Sequence, residues 1–157
     1  MVKKSTKEKN AETVYKKILT QVETLIMKHN KVTYLEELNG VGKKLLGVKF
    51  KGVFASDNIP RLNNLTKYCI LNLDRTDEPG SHWIALAKLP NGNSIMYDSF
   101  GRSSKKIIPS LWYSGNGRII HDTRDAEQGI KESNCGQHCI SFLIFLDTYG
   151  PELAMLI

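Results

Sequence analysis

Lys131-Glu132-Ser133-Asn134-Cys135-Gly136-Gln137-His138-Cys139, running on into Ile140-Ser141-Phe142-Leu143-Ile144-Phe145-Leu146, is a polar turn that opens an apolar helix. The helix is expected to start at Cys135 and to reach about Tyr149, where Gly150-Pro151 ends it. A thiol in a first helical turn sits among unpaired backbone N–H groups, at the positive end of the helix dipole. Both favour an anion, and thiolate is the reactive form of a thiol. Gly136 permits a close backbone approach beside it. Cys139, one turn on, is expected to face the core, and Cys69 lies in an apolar strand run where a thiol is inert.

Working outward, three upstream pieces complete a chemical set: Ser81-His82-Trp83, Tyr97-Asp98-Ser99-Phe100-Gly101, and Gln128, seven residues before Cys135. Residues 81–89 and 94–97 flank Pro90-Asn91-Gly92-Asn93, a hairpin signal. The hairpin places His82 at one strand's start and Asp98 at the other's end, and those ends are neighbours in an antiparallel pair. Cys135 as nucleophile, His82 as base, Asp98 as its orienting carboxylate and Gln128 as oxyanion donor are the parts of a cysteine acyl-transfer site. Trp83 can pack beside His82, and Asn134 and Gly136 flank the thiol as supporting residues.

Each residue also has a plainer reading: Cys135 as a small buried hydrophobe, Asp98 as a turn residue, a lone histidine with no special role. His29, His121 and His138 compete with His82, but none of them follows a polar loop and pairs with a carboxylate through a hairpin; His138 is expected to face sideways from its helix. Cys135 and Cys139 could chelate zinc, yet no second pair stands at ligand spacing, and no metal is expected.

The chain has 157 residues, 41% hydrophobic and 24% charged, which fits one globular domain with a real core. Three cysteines form no disulfide framework and point to a reducing compartment. No apolar run approaches the roughly 20 residues that cross a bilayer, and the Lys-rich start is not a secretory signal. The net charge of +6 is uneven: residues 1–51 carry 12 Lys against 5 Glu, whereas the remainder is close to neutral. Lysines without interleaved aromatics suit loose phosphate contact or simply a solvated face.

Residues 1–9 read as a basic flexible tail, and residues 10–157 as one domain with a helical part to about 46 and a core from about 47. Asn10 is the expected first N-cap, with Val14, Ile18, Val22, Leu25 and Ile26 as the buried stripe. Thr33 with Glu36 suggests a capping box for a second helix over 34–46, interrupted near Gly40-Val41-Gly42. Strands are expected over 49–54 and 68–73, in the hairpin, and over 118–122. Together these give an α/β (α+β) class.

His82-Trp83, Asp98 after a hairpin, Gln128 and Asn134-Cys135-Gly136, in that order, resemble the adenovirus-protease and Ulp/SENP superfamily of cysteine proteases. The seven-residue step from Gln128 to Cys135 is similar to the adenovirus branch; Ulp enzymes have a shorter step and Asp where this chain has Asn134. Adenovirus proteases carry Glu where Asp98 stands. Gly52-Val53-Phe54 through Asp57 and Pro60, then Asn72-Leu73-Asp74 and Pro79-Gly80-Ser81-His82-Trp83, most resemble the maturation proteases of large DNA viruses, virophages and Polinton-type elements. The likeness covers about residues 45–150.

The resemblance implies an adenain/Ulp-like fold, a central mixed sheet flanked by helices, and a viral thiol protease that cuts capsid or core precursors at Gly-containing sites during virion maturation. It implies a monomer in the virion and the host-cell virus factory, not secreted and not at a membrane. No cofactor is expected, though DNA or a peptide could activate it, with DNA meeting the Lys-rich N-terminal third. Two alternatives stand beside it: an isopeptidase for SUMO or ubiquitin-like proteins, and a DNA- or capsid-binding structural protein with a vestigial site.

Overall fold

The computed structural model describes residues 3–26, 31–74, 82–122 and 134–157; Gln128 and His29 lie outside them. A five-stranded mixed sheet is built in strand order β1 (Phe50–Ala55), β2 (Tyr68–Asn72), β3 (Trp83–Lys88), β4 (Ser94–Tyr97) and β5 (Ile119–Asp122). The central pairs β2–β3 and β3–β4 are antiparallel, and each outer strand joins its neighbour in parallel. The expected strand regions all form, and β2 is buried along its whole length, as its apolar run requires.

Side chains alternate across the sheet and divide the core in two. Tyr68, Ile70, Trp83, Ala85, Ala87, Ile95 and Tyr97 face helices α1 (Thr6–Leu25), α2 (Lys31–Leu46) and α4 (Cys135–Tyr149). Cys69, Leu71, Ile84, Leu86 and Met96 meet Ile108, Leu111 and Ile119 on the other face, next to the short helix α3 (Ser104–Ile107) and the 3₁₀ segment Pro109–Tyr113. Helix α4 is buried on nearly every side, so its sequence shows no polar face. Tyr97 stacks on Phe142 with ring centroids 4.4 Å apart, tying β4 to α4; truncating such a core aromatic costs about 3–5 kcal/mol. The short α5 (Pro151–Ala154) follows Gly150, and Ala154 and Ile157 are buried against the body.

Several local expectations need correction. Helix α1 begins at Thr6 instead of after Asn10, because Ser5 caps it by accepting the Glu8 N–H, and Ser5 Oγ also reaches the Glu8 carboxylate at 3.3 Å. Its buried residues are Ala11, Tyr15 and Val22, with Ile26 just beyond; Val14 and Ile18 pack at the margin, while Leu25 is exposed. Helix α2 starts two residues before Thr33 and runs unbroken through Gly40-Val41-Gly42. Gly42 is needed there for closeness: a Cβ at that position would collide with the Phe50 ring of β1.

Candidate active site

The hairpin that carries His82 and Asp98 is paired from Lys88–Ser94 out to Ala85–Tyr97. Just beyond that last pair the side chains of His82 and Asp98 meet. His82 Nε2 meets Asp98 Oδ1 at 2.6 Å, with Asp98 wholly buried and His82 nearly so. The Leu73 N–H donates to the His82 carbonyl at 3.0 Å, which fixes the backbone of His82 to the end of β2.

Asp98 is also the focus of a tight turn. The backbone N–H groups of Phe100 and Arg102 donate to its two carboxylate oxygens at 3.2 and 3.0 Å, and Arg102 Nε donates to Oδ2 at 2.9 Å. Burial works to raise the Asp98 pKa, but the hydrogen bonds from His82 and Arg102 outweigh it and hold the carboxyl down at about 2. The Phe100 ring touches both partners of Asp98: His82 stacks on it at 4.6 Å and the Arg102 guanidinium sits 5.1 Å from its centroid. Phe100 is therefore the aromatic that packs on His82; Trp83, expected in that place, points into the core under α4.

Cys135 is the first residue of α4 and is 7% exposed. His82 is hydrogen-bonded to Asp98, and Cys135 is near enough to act on the His82 pKa. Burial works to lower the His82 pKa, but the Asp98 hydrogen bond and the nearby Cys135 prevail and raise it above 6.5. Thiol, imidazole and carboxylate are thus gathered in one place, the set of groups that proton transfer to and from sulfur requires. Asn134, just before Cys135, does not cap the helix with its side chain; its Nδ2 donates to Glu23 Oε1 of α1 at 3.1 Å. Gly136 is buried in the first turn beside the thiol.

The remaining cysteines and His138 are internal. Cys139 and Cys69 are fully buried, and burial pushes both thiols up. His138 does not face sideways: it is 2% exposed and buried against α1, with its pKa pushed down to about 4 by desolvation. Sequence reasoning missed Phe100 and Arg102, although the Asp-Ser-Phe-Gly-Arg run after a strand is itself a turn signal that folds donors back toward its carboxylate.

No protein-family model matches this chain. It is similar to the protease of bovine adenovirus C serotype 10, at 26% identity over 97 residues, covering 52% of this chain and 50% of that protein. The chain spans about half the length of that curated relative. This is a distant relationship to a viral protease. Among the described residues no helix is long and apolar enough to cross a membrane.

Proposed function

We propose that this chain is a viral cysteine endopeptidase with an adenain-like fold, in which Cys135 is the nucleophile, His82 the general base and acid, and Asp98 the orienting carboxylate. The observation that carries this reading is the 2.6 Å His82–Asp98 hydrogen bond with Cys135 brought near His82 at a helix start. His82 takes the Cys135 proton, the thiolate attacks the scissile carbonyl, and the tetrahedral oxyanion is met by the Cys135 backbone N–H and the side-chain amide of Gln128. His82 then gives its proton to the leaving amine, forming a thioester. Water, deprotonated by His82, hydrolyses it and regenerates the thiol. Asp98, kept ionised by Arg102, stabilises the imidazolium throughout.

The substrates in this reading are capsid or core precursors cut at glycine-containing sites in the assembling virion. Exposed Lys3, Lys7, Lys9, Lys16, Lys17, Lys43, Lys44 and Lys51 give the N-terminal third a surface for a polyanion such as DNA, so activity should respond to added DNA in a salt-dependent way. A Gly-Gly vinyl-sulfone peptide, read by intact mass, tests the chemistry. One adduct on wild type, absent from Cys135→Ala and much slowed in His82→Ala, is expected. Labelling at Cys69 or Cys139, or labelling indifferent to both substitutions, refutes the assignment. Cleavage of SUMO or ubiquitin-like fusions in preference to Gly-Gly peptides would select the isopeptidase alternative.

A further inference from the structure

Away from the reactive groups, the described part of the molecule holds a fully buried polar cluster at the junction of three elements. Tyr15 of α1 is 0% exposed, and its hydroxyl lies 2.7 Å from the Tyr97 hydroxyl of β4 and 2.5 Å from Nδ1 of His138 on α4. It also reaches the His138 carbonyl at 3.4 Å. The rings follow suit, with Tyr15 stacked on His138 at 5.9 Å and tilted against Tyr97 at 6.3 Å.

Placement gives this cluster its meaning. Tyr97 is the residue before Asp98, and His138 lies one turn after Cys135. The single hydroxyl of Tyr15 therefore joins the strand end that delivers the carboxylate to the helix turn that delivers the thiol. A second link from the same helix, Glu23 Oε1 accepting from Asn134 Nδ2 at 3.1 Å, grips the residue immediately before Cys135. Helix α1 thus brackets the thiol on both sides along the chain.

Holding α1 in place does not require polar groups. A Phe–Leu contact would bind it without desolvating two phenols and an imidazole. Apolar surfaces slide with little penalty, whereas buried hydrogen bonds fix distance and direction, because a misaligned donor there has no water to fall back on. Shifts of about 1 Å in a reactive pair are enough to cost about a hundredfold in rate.

We infer that α1 is a positioning element of the reactive site, acting through the Tyr15 hydroxyl, which sets the spacing between the Asp98-bearing end of β4 and the Cys135-bearing turn of α4. This rests on the cysteine-peptidase reading above, and deepens it by making the N-terminal helix part of the device that aligns thiol and imidazole.

The test is Tyr15→Phe, which keeps the ring and removes the hydroxyl, compared with Tyr68→Phe. Tyr68 donates to Asp147 Oδ1 at 2.9 Å, so its variant loses a hydrogen bond to the far end of the same helix. Labelling by the Gly-Gly vinyl-sulfone peptide is resolved into maximal rate and half-saturating concentration, with melting temperature recorded alongside. Tyr15→Phe should lose about tenfold in maximal rate with half-saturation within about twofold. Tyr68→Phe should match its loss of melting temperature and label at the wild-type rate. Equal rates for Tyr15→Phe and wild type overturn the inference, as does an equal slowing of Tyr68→Phe. Should Tyr15→Phe fail to fold, Glu23→Ala at the exposed end of the bracket decides: slowing of about threefold at unchanged melting temperature upholds the inference, and an unchanged rate refutes it. Absence of any Cys135 adduct on wild type would instead bring down the peptidase reading.

Discussion

Two buried histidines of this chain, His82 and His138, sit in surroundings that push them in opposite directions. At the mouth of the hairpin, His82 faces a carboxylate and a thiol, and its pKa rises. Beneath α1, His138 faces two phenols, and burial presses its pKa down to about 4. Both rings are nearly removed from solvent, so burial alone does not decide the outcome. The difference is the counter-charge: Asp98, itself held ionised by Arg102, can hold an imidazolium, whereas the Tyr15–Tyr97 pair offers only neutral oxygen. One histidine is equipped to carry a proton and the other to refuse it.

The comparison breaks most sharply on substitution. His82→Ala should lower the rate of Cys135 labelling by about 10²–10⁴, measured by intact mass over time, while the fold survives, because the ring lies at the end of the hairpin and not in its core.

Stability against pH should separate the two regions next. His138, depressed when folded, contributes stability that is present above 6.5 and is lost as pH falls toward about 4, a change of roughly 3 kcal/mol. His82, raised when folded, contributes stability that is full below 6.5 and is lost as pH climbs through its folded value. In urea titrations His138→Gln should flatten the slope on the acid side of 6.5. A wild-type-like slope in that variant would contradict the neutral, buried state.

Asp98→Asn removes the counter-charge with little change of shape. The labelling rate should fall about thirtyfold, and the alkaline limb of its pH profile should move to lower pH as the His82 imidazolium loses its partner. A limb that stays put would mean that Asp98 does not set the charge of His82.

The mildest change is Arg102→Gln, which leaves two backbone N–H donors and His82 on Asp98. A drop of about threefold in labelling is expected. Asp98 contributes stability that is present above its ordinary pKa and is lost as pH falls toward about 2, so a less depressed Asp98 should shift the acid unfolding midpoint upward.

What could be read from sequence was what neighbouring residues decide. The turn Pro90-Asn91-Gly92-Asn93 fixed the hairpin, and the hairpin put His82 beside Asp98; the polar-to-apolar switch at Asn134-Cys135 set the start of α4. What escaped depended on contacts distant in the chain or on backbone donors that have no sequence letter. Gly42 in α2 leaves room for the Phe50 ring of β1, a tertiary contact that the helix sequence does not show. Phe100 and Arg102 act on Asp98 partly through their N–H groups, which every residue but proline possesses. Tyr15 fell outside the apolar stripe of α1 because its value lies in partners 82 and 123 residues away.

The hairpin has one further consequence, for the order of assembly. His82 and Asp98 are separated by 16 residues and are brought together by a local turn, while Cys135 arrives only with a helix that must dock on α1 from the other end of the described chain. Local hairpins close in microseconds, and contacts of long sequence separation come later. The His82–Asp98 pair can therefore exist before Cys135 is seated beside it. Pulsed amide exchange during refolding should protect β3 and β4 before the first turn of α4; the reverse order would show that the helix nucleates the sheet.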